Sequence, residues 1–209
     1  MTTYKSRARP PRPSLPAGAR DTREKLVRIA EKLMLRDGYS ATRVDDVIGK
    51  AGLSKGSFYH CFDSKEALGL AALERYYADR VERLAAGSYA TETDPLRRAN
   101  GFLDHASDVA EDVWNAGCLL ANLAADAAGS SRAIASALRK RTSDLRALLA
   151  DLLGPFSTPD MTAADLAEQF LVCIEGSIVL ARIYNDPTYL RRGIEQFRRS
   201  LRRPADHAR

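Results

Sequence analysis

Apolar positions along the chain return with a period between three and four. Leu26, Ile29, Ala30 and Leu33 stand at i, i+3, i+4 and i+7, the single stripe of an amphipathic helix. That helix is expected over about 21–37, with Gly38 where a helix-ending glycine belongs. Val44, Val47, Ile48 and Ala51 make the next stripe. Thr42 opens it, with Asp45 three residues on as a capping box, and Gly52 ends it. Ser54 caps a third, short helix over about 55–60. Asp63 or Ser64 caps a fourth, which keeps the helical period through Leu73, Tyr76, Tyr77, Val81 and Leu84 to about 86.

The remaining helices have plain punctuation. Asp94-Pro95 is an N-cap followed by proline at the first helical position. The helix it opens carries Ala99, Phe102, Leu103, Ala106, Val113 and Trp114. A break at 115–117 separates it from a short segment of about 118–128. Ser130 or Ser131 opens a helix over about 131–153, which Gly154-Pro155 stops. Thr162 with Asp165 is a second capping box, for about 163–184, and Asp186-Pro187 opens the last helix, about 188–203. Alternating β-branched runs of strand length are absent, so the fold class is all-α.

The pair at 43–51 and 55–60 is the informative one. About three residues join the two helices, with Gly52 at the turn. Such a connection sets them at a steep angle, and the second can enter a major groove. Its outward residues are Lys55, Gly56, Ser57, Tyr59 and His60. Ser57 can bond a phosphate or a base edge, Tyr59 and His60 can donate to phosphates, and Gly56 permits close approach to the backbone. Lys65 adds a cation at the start of the following helix, whose N-terminus itself favours anions.

Charge sharpens the picture. The net charge is +5 over 209 residues, but residues 1–20 alone carry +5 and residues 191–209 another +5, so the middle is −5. Residues 1–19 also hold Pro10, Pro11, Pro13 and Pro16 and are expected to form a disordered basic arm. Arms of this kind neutralise phosphates without reading sequence. The three cysteines, Cys61, Cys118 and Cys173, are odd in number and far apart, which fits neither a disulfide framework nor a zinc site. No apolar run has the length of a membrane span, and the N-terminus lacks a signal-peptide core, so a cytoplasmic location is expected.

From Thr22 to Leu73, and above all from Val44 to Leu68, the chain resembles the DNA-binding domain of TetR-family repressors. The resemblance is carried by Gly38-Tyr39, Ala51-Gly52, Gly56-Ser57, Tyr59, Phe62 and Ser64-Lys65-Glu66. It implies DNA contacts, mostly to phosphates, by Thr42, Ser57, Tyr59, His60 and Lys65. With Arg43, Lys55 and Gly56 these make up the candidate DNA-binding set. Cys61 departs from the family, which often has His or Tyr there. A small core residue is the preferred reading of it.

The implied architecture is an N-terminal three-helix helix-turn-helix domain at 20–66 and a body of about six helices at 67–203, followed by a flexible tail at 204–209. In the body, helix 163–184 is apolar over much of its circumference, with Leu166, Phe170, Ile174, Ser177, Leu180, Ala181 and Tyr184 on one side and Val172, Gly176 and Val179 on another. The last helix carries Leu190, Ile194, Phe197 and Leu201. Burial within one subunit is one account of these faces. The resemblance implies the other, a homodimer in which the last two long helices meet their mates and two recognition helices face a palindromic duplex DNA operator.

The resemblance also implies an effector cavity in the body. Its candidate lining is Tyr76, Tyr77, Phe102, His105, Trp114 and Cys118. The segment Gly117-Cys118-Leu119-Leu120-Ala121-Asn122-Leu123-Ala124-Ala125-Asp126 resembles a subgroup sensing reactive electrophiles of the N-ethylmaleimide and acrylate type. There the cysteine opens a helix, whose dipole is expected to lower its pKa. An inert buried cysteine is the alternative.

The function expected is a regulator released from its operator by a small molecule or electrophile, with no cofactor and no metal. Two alternatives are weaker. A helical-bundle enzyme would have to use Asp104 with His105, or Asp108 with Glu111, and charges on a solvent face explain these better. A non-specific architectural DNA binder needs no large apolar body.

Overall fold

The computed structural model describes residues 17–110, 112 and 117–201. Nine α-helices run through the described residues. They are α1 (Ala17–Asp37), α2 (Val44–Ala51), α3 (Lys55–Cys61), α4 (Lys65–Ala85), α5 (Pro95–Asp108), α6 (Leu119–Asp126), α7 (Arg132–Leu153), α8 (Ala163–Tyr184) and α9 (Thr188–Ser200). Short 3-10 turns cover Ser88–Thr91 and Gly154–Phe156. No strand occurs among the described residues, only an isolated bridge between Thr158 and Met161.

The caps read from the sequence hold at most helix starts. The side chains of Ser54, Ser64, Asp94, Ser131 and Thr162 each accept a backbone N–H of the first turn. Thr162 and Asp165 complete their capping box. Two starts differ. Helix α1 begins at Ala17, within the stretch expected to be an arm, because Gly18 and Thr22 continue the turn through a hydrogen bond from the Thr22 hydroxyl to the Gly18 carbonyl. Helix α2 starts from Arg43 without a side-chain cap. Thr42 instead points inward, 3% exposed, and its hydroxyl donates to the Gly38 carbonyl at 2.8 Å. The expected Thr42–Asp45 box is therefore replaced by a link back to the end of α1.

Two apolar clusters form the core. The first joins α1–α4 through Leu26, Val47, Phe58, Leu68 and Leu73, and also takes in Leu119 and Leu123 of α6 and Ile134 and Leu138 of α7. The second fills the body, with Phe102, Leu149, Phe170, Ile178, Ile194 and Phe197. The expected boundary at 66/67 falls in the first turn of α4, whose Leu68, Leu73 and Tyr76 belong to the first cluster.

The two faces of α8 separate cleanly. Leu166, Phe170, Ile174, Ser177 and Ala181 are buried within the subunit. Leu180 and Tyr184, expected on that same side, lie outside it together with Val172, Val179 and Ile183. The apolar stripe of α9 is satisfied internally: Phe197 packs on Phe170 with ring centroids 5.1 Å apart, and Leu190 and Ile194 are buried beside them.

Candidate functional site

Helices α2 and α3 carry the candidate DNA surface. Gly52 closes α2 at φ +63°, the left-handed conformation that glycine adopts without steric penalty, and so turns the chain toward α3. Helix α3 has a back and a front. Phe58 and Cys61 are buried on the back, and Phe62 follows them into the core. On the front, Lys55, Gly56, Tyr59 and His60 are exposed and Ser57 is partly so. Tyr59 is 58% exposed and braced by the edge of Phe58 at 5.2 Å. Cys61 is the expected core residue.

Not every expected contact stands free. Arg43 is exposed at the start of α2. Lys55 pairs with Asp45 at 3.0 Å, both well exposed, so the pair can open to a phosphate at little cost. Thr42 is buried, as described above, and offers no surface to a ligand. Lys65 donates to the Ser40 carbonyl at 3.1 Å and lies 4.5 Å from the centre of the Tyr39 ring. Burial holds its pKa below the usual lysine value, against the pull of Asp126. It ties the loop before α2 to α4 rather than standing as a free cation.

The body contains a cavity of roughly 160 Å³ between α4, α5, α7, α8 and α9. Of the candidate lining residues, Tyr76, Phe102 and His105 border it. Tyr77 does not; it lies under the Arg141 guanidinium, 4.8 Å from its ring. Trp114 lies outside the described residues. His105 also bonds the Arg83 carbonyl at 3.1 Å.

Cys118 sits just behind the cavity wall, next to the lining residue Gly117. It is the N-cap of α6, as expected, and its sulfur accepts from the Ala121 N–H at 3.5 Å. The expected acidity does not follow. The thiol is 2% exposed and donates to Glu175 Oε1 at 3.0 Å. Burial, and then the Glu175 charge, push its pKa up to about 11. These outweigh both the nearby Arg80 and the bond from Ala121. The resting group is a neutral thiol.

The sequence reading named Tyr76 but missed Arg80 and Glu175 beside it. Tyr76 donates to the Gly117 carbonyl at 3.2 Å and accepts from Arg80 Nη1 at 2.6 Å. Burial raises the Tyr76 pKa to about 12. Past Cys118, α6 grips the DNA-binding part. Asn122 donates to the carbonyls of Met34 and Leu35, each at 3.1 Å, and Asp126 accepts from the Ser40 N–H at 3.1 Å. No local pattern could have marked these partners, because each lies more than 80 residues away in the chain.

The comparisons agree with this geometry. The profile of bacterial regulatory proteins of the tetR family matches residues 26–72, which span the buried back of α3 and the start of α4. A second profile, the C-terminal domain of LmrA/YxaF-like transcriptional regulators, matches residues 95–196. The HTH-type transcriptional repressor NemR of Escherichia coli K12 is 34% identical over 134 residues, 64% of this chain and 67% of that protein. The transcriptional regulator AcuR of Cereibacter sphaeroides is 30% identical over 83% of both chains. The crystal structure of reduced E. coli NemR superimposes with a TM-score of 0.69 at 27% identity, covering 88% of this chain and all of the other. These relatives are regulators rather than enzymes. A recognition helix exposed on one side only, seated on a body that encloses a cavity, is thus found in a chain that belongs to the TetR family of transcriptional regulators.

Proposed function

We propose that this regulator is a repressor that binds a palindromic operator as a homodimer and leaves it when an effector reaches the body. The observation that carries the reading is α3, a short helix with a sealed apolar back and a polar front of Lys55, Gly56, Ser57, Tyr59 and His60. Seven residues read few bases, so specificity requires two copies at a fixed spacing.

The second copy is supported by α8. Val172, Gly176, Val179, Leu180 and Ile183 form one exposed stripe at i, i+4, i+7, i+8 and i+11, with Val172 68% and Ile183 67% exposed. A contiguous apolar stripe of this kind belongs in an interface. Gly176, with nothing near its missing side chain, lets a partner helix approach closely. The stripe of α9 is already used inside the subunit, so α8 supplies the apolar part of the interface and α9 its polar flank.

Release follows from α6. One end of that helix begins beside the cavity-lining Gly117, with Cys118 just behind the wall, and the other holds Ser40 and the end of α1. An effector that displaces the first turn of α6 shifts the grip on the DNA-binding part and changes the spacing of the recognition helices, a shift between two states. A small molecule in the cavity can do this. The position of Cys118 favours a second route, covalent attack by an electrophile. Because the resting thiol is buried and protonated, that route requires α6 to open first.

The test is selection of bound genomic fragments, followed by binding measurements at two salt concentrations. A preferred palindrome, bound by a dimer with strong salt dependence, is expected. Equal affinity for random duplex overturns the reading. Exchange of Cys118 to Ser separates the effector routes: electrophile-induced release that persists in the variant removes the covalent one.

A further inference from the structure

Most of the cavity wall is apolar. Phe102, Leu145, Leu149, Phe170, Ile174 and Ile194 supply most of its wall. Arg80 stands beside Tyr76. It is half-buried and borders the cavity. Its guanidinium has five N–H donors and is protonated at any physiological pH. The described residues engage it through one hydrogen bond, from Nη1 to the neutral Tyr76 hydroxyl. The other charges at the wall are already matched or lie in water. Glu31 pairs with Arg75 at 3.1 Å, Asp79 with Arg83 at 3.0 Å, and Asp112 is exposed. Glu175 is not part of the wall and accepts the Cys118 thiol.

Among the described residues no carboxylate hydrogen-bonds this half-buried guanidinium; Glu175, behind the wall, acts on it only through its charge, so most of the N–H donors await a partner. We infer that the cavity is built for a small organic carboxylate, its apolar body among Phe102, Phe170 and Ile174 and its anionic end on the free donors of Arg80. This assignment rests on the reading of the cavity as the effector site and adds the chemistry of the effector. The size follows from the volume: an apolar cavity of about 150 Å³ accommodates benzene. A carboxylate on a planar guanidinium forms paired, charge-assisted hydrogen bonds, about twice as strong as neutral ones. A neutral amide of the same shape accepts at one oxygen without ion pairing, and a cationic ligand is repelled.

The experiment is calorimetric titration of the full-length protein with three size-matched probes: benzoate, benzamide and benzylamine. Benzoate is expected to bind at least about tenfold more tightly than benzamide, and benzylamine most weakly. Arg80→Gln should remove the preference, and a melting transition as cooperative as that of the native protein shows that the variant is folded. If Arg80→Gln does not fold, the ranking of the three probes on the native protein decides by itself. Benzamide or benzylamine binding as tightly as benzoate overturns the assignment, as does failure of all three to bind. Equal binding of all three leaves the effector reading intact. A benzoate preference that leaves operator affinity unaltered keeps the anion site and removes the effector reading.

Discussion

The carboxylate of Asp126 accepts the backbone N–H of Ser40 at 3.1 Å, across 86 residues of chain. Asp126 closes α6 and Ser40 lies in the loop between α1 and α2, so this bond joins the body to the DNA-binding part. Gly38 makes room for it. Its φ is +88°, and a Cβ there would lie 2.7 Å from Asp126 Oδ2.

Removing this grip should loosen the coupling without touching α3. The double variant Asn122→Ala, Asp126→Ala loses three hydrogen bonds to the end of α1 and the following loop. Each is worth about 0.5–1.5 kcal/mol net, so a stability loss of about 1.5–4.5 kcal/mol is expected in urea. Operator affinity should fall at least threefold as the recognition helices lose their fixed spacing. Unchanged affinity in the destabilised variant would show that α6 does not set that spacing. Gly38→Ala should lower the melting temperature as well, since its backbone is left-handed and its side chain meets Asp126.

Neighbouring residues of α3 should respond oppositely to truncation. Phe58 is fully buried, and Phe58→Ala is expected to cost about 3–5 kcal/mol of stability. Tyr59 is exposed, and Tyr59→Ala should change stability by less than about 0.5 kcal/mol while weakening operator binding. Parallel thermal melts and fluorescence-anisotropy titrations distinguish the two. Tyr59→Ala with native DNA affinity would move the contact surface away from this face.

Helix α8 offers a test of assembly. A glutamate at Val179 or Ile183 puts a charge in the exposed apolar stripe. Either substitution is expected to give a folded monomer in sedimentation velocity at micromolar concentration, with operator binding reduced at least tenfold. A dimer that survives both would place the interface elsewhere.

The state of Cys118 predicts a pH profile. Burial and the Glu175 charge favour the neutral thiol, so its pKa lies at about 11 and thiolate accumulates only as pH rises toward that value. Iodoacetamide labelling of Cys118, followed by mass spectrometry, should accelerate about tenfold per pH unit from 7 to 9.5 without a plateau. Glu175→Gln removes the negative charge that favours the neutral thiol and keeps an acceptor oxygen, so labelling at pH 8 should quicken. A plateau below pH 9 in the native protein contradicts the buried thiol.

The amino-acid order by itself determined most of the helices, most of their caps and which face of α3 is exposed. These depend on interactions over three or four residues: the stripe from Leu26 to Leu33, the cap of Ser54 on the Ser57 N–H, the turn at Gly52. Local chemistry decides them, and a periodic pattern records it. Tertiary structure decided which polar groups stay free. Thr42 carries a good capping side chain, yet packing turned it to the Gly38 carbonyl. Lys65 looked like a free cation and is tied to Ser40 and Tyr39. Cys118 occupies the expected helix start, but the Glu175 carboxylate from a distant helix, together with burial, reverses the sign of its pKa shift. The side of α8 that faces water, and the place of Arg80 at the cavity, were likewise set by neighbours remote in sequence. Burial and electrostatics depend on what arrives from elsewhere in the chain, and no local pattern encodes that arrival.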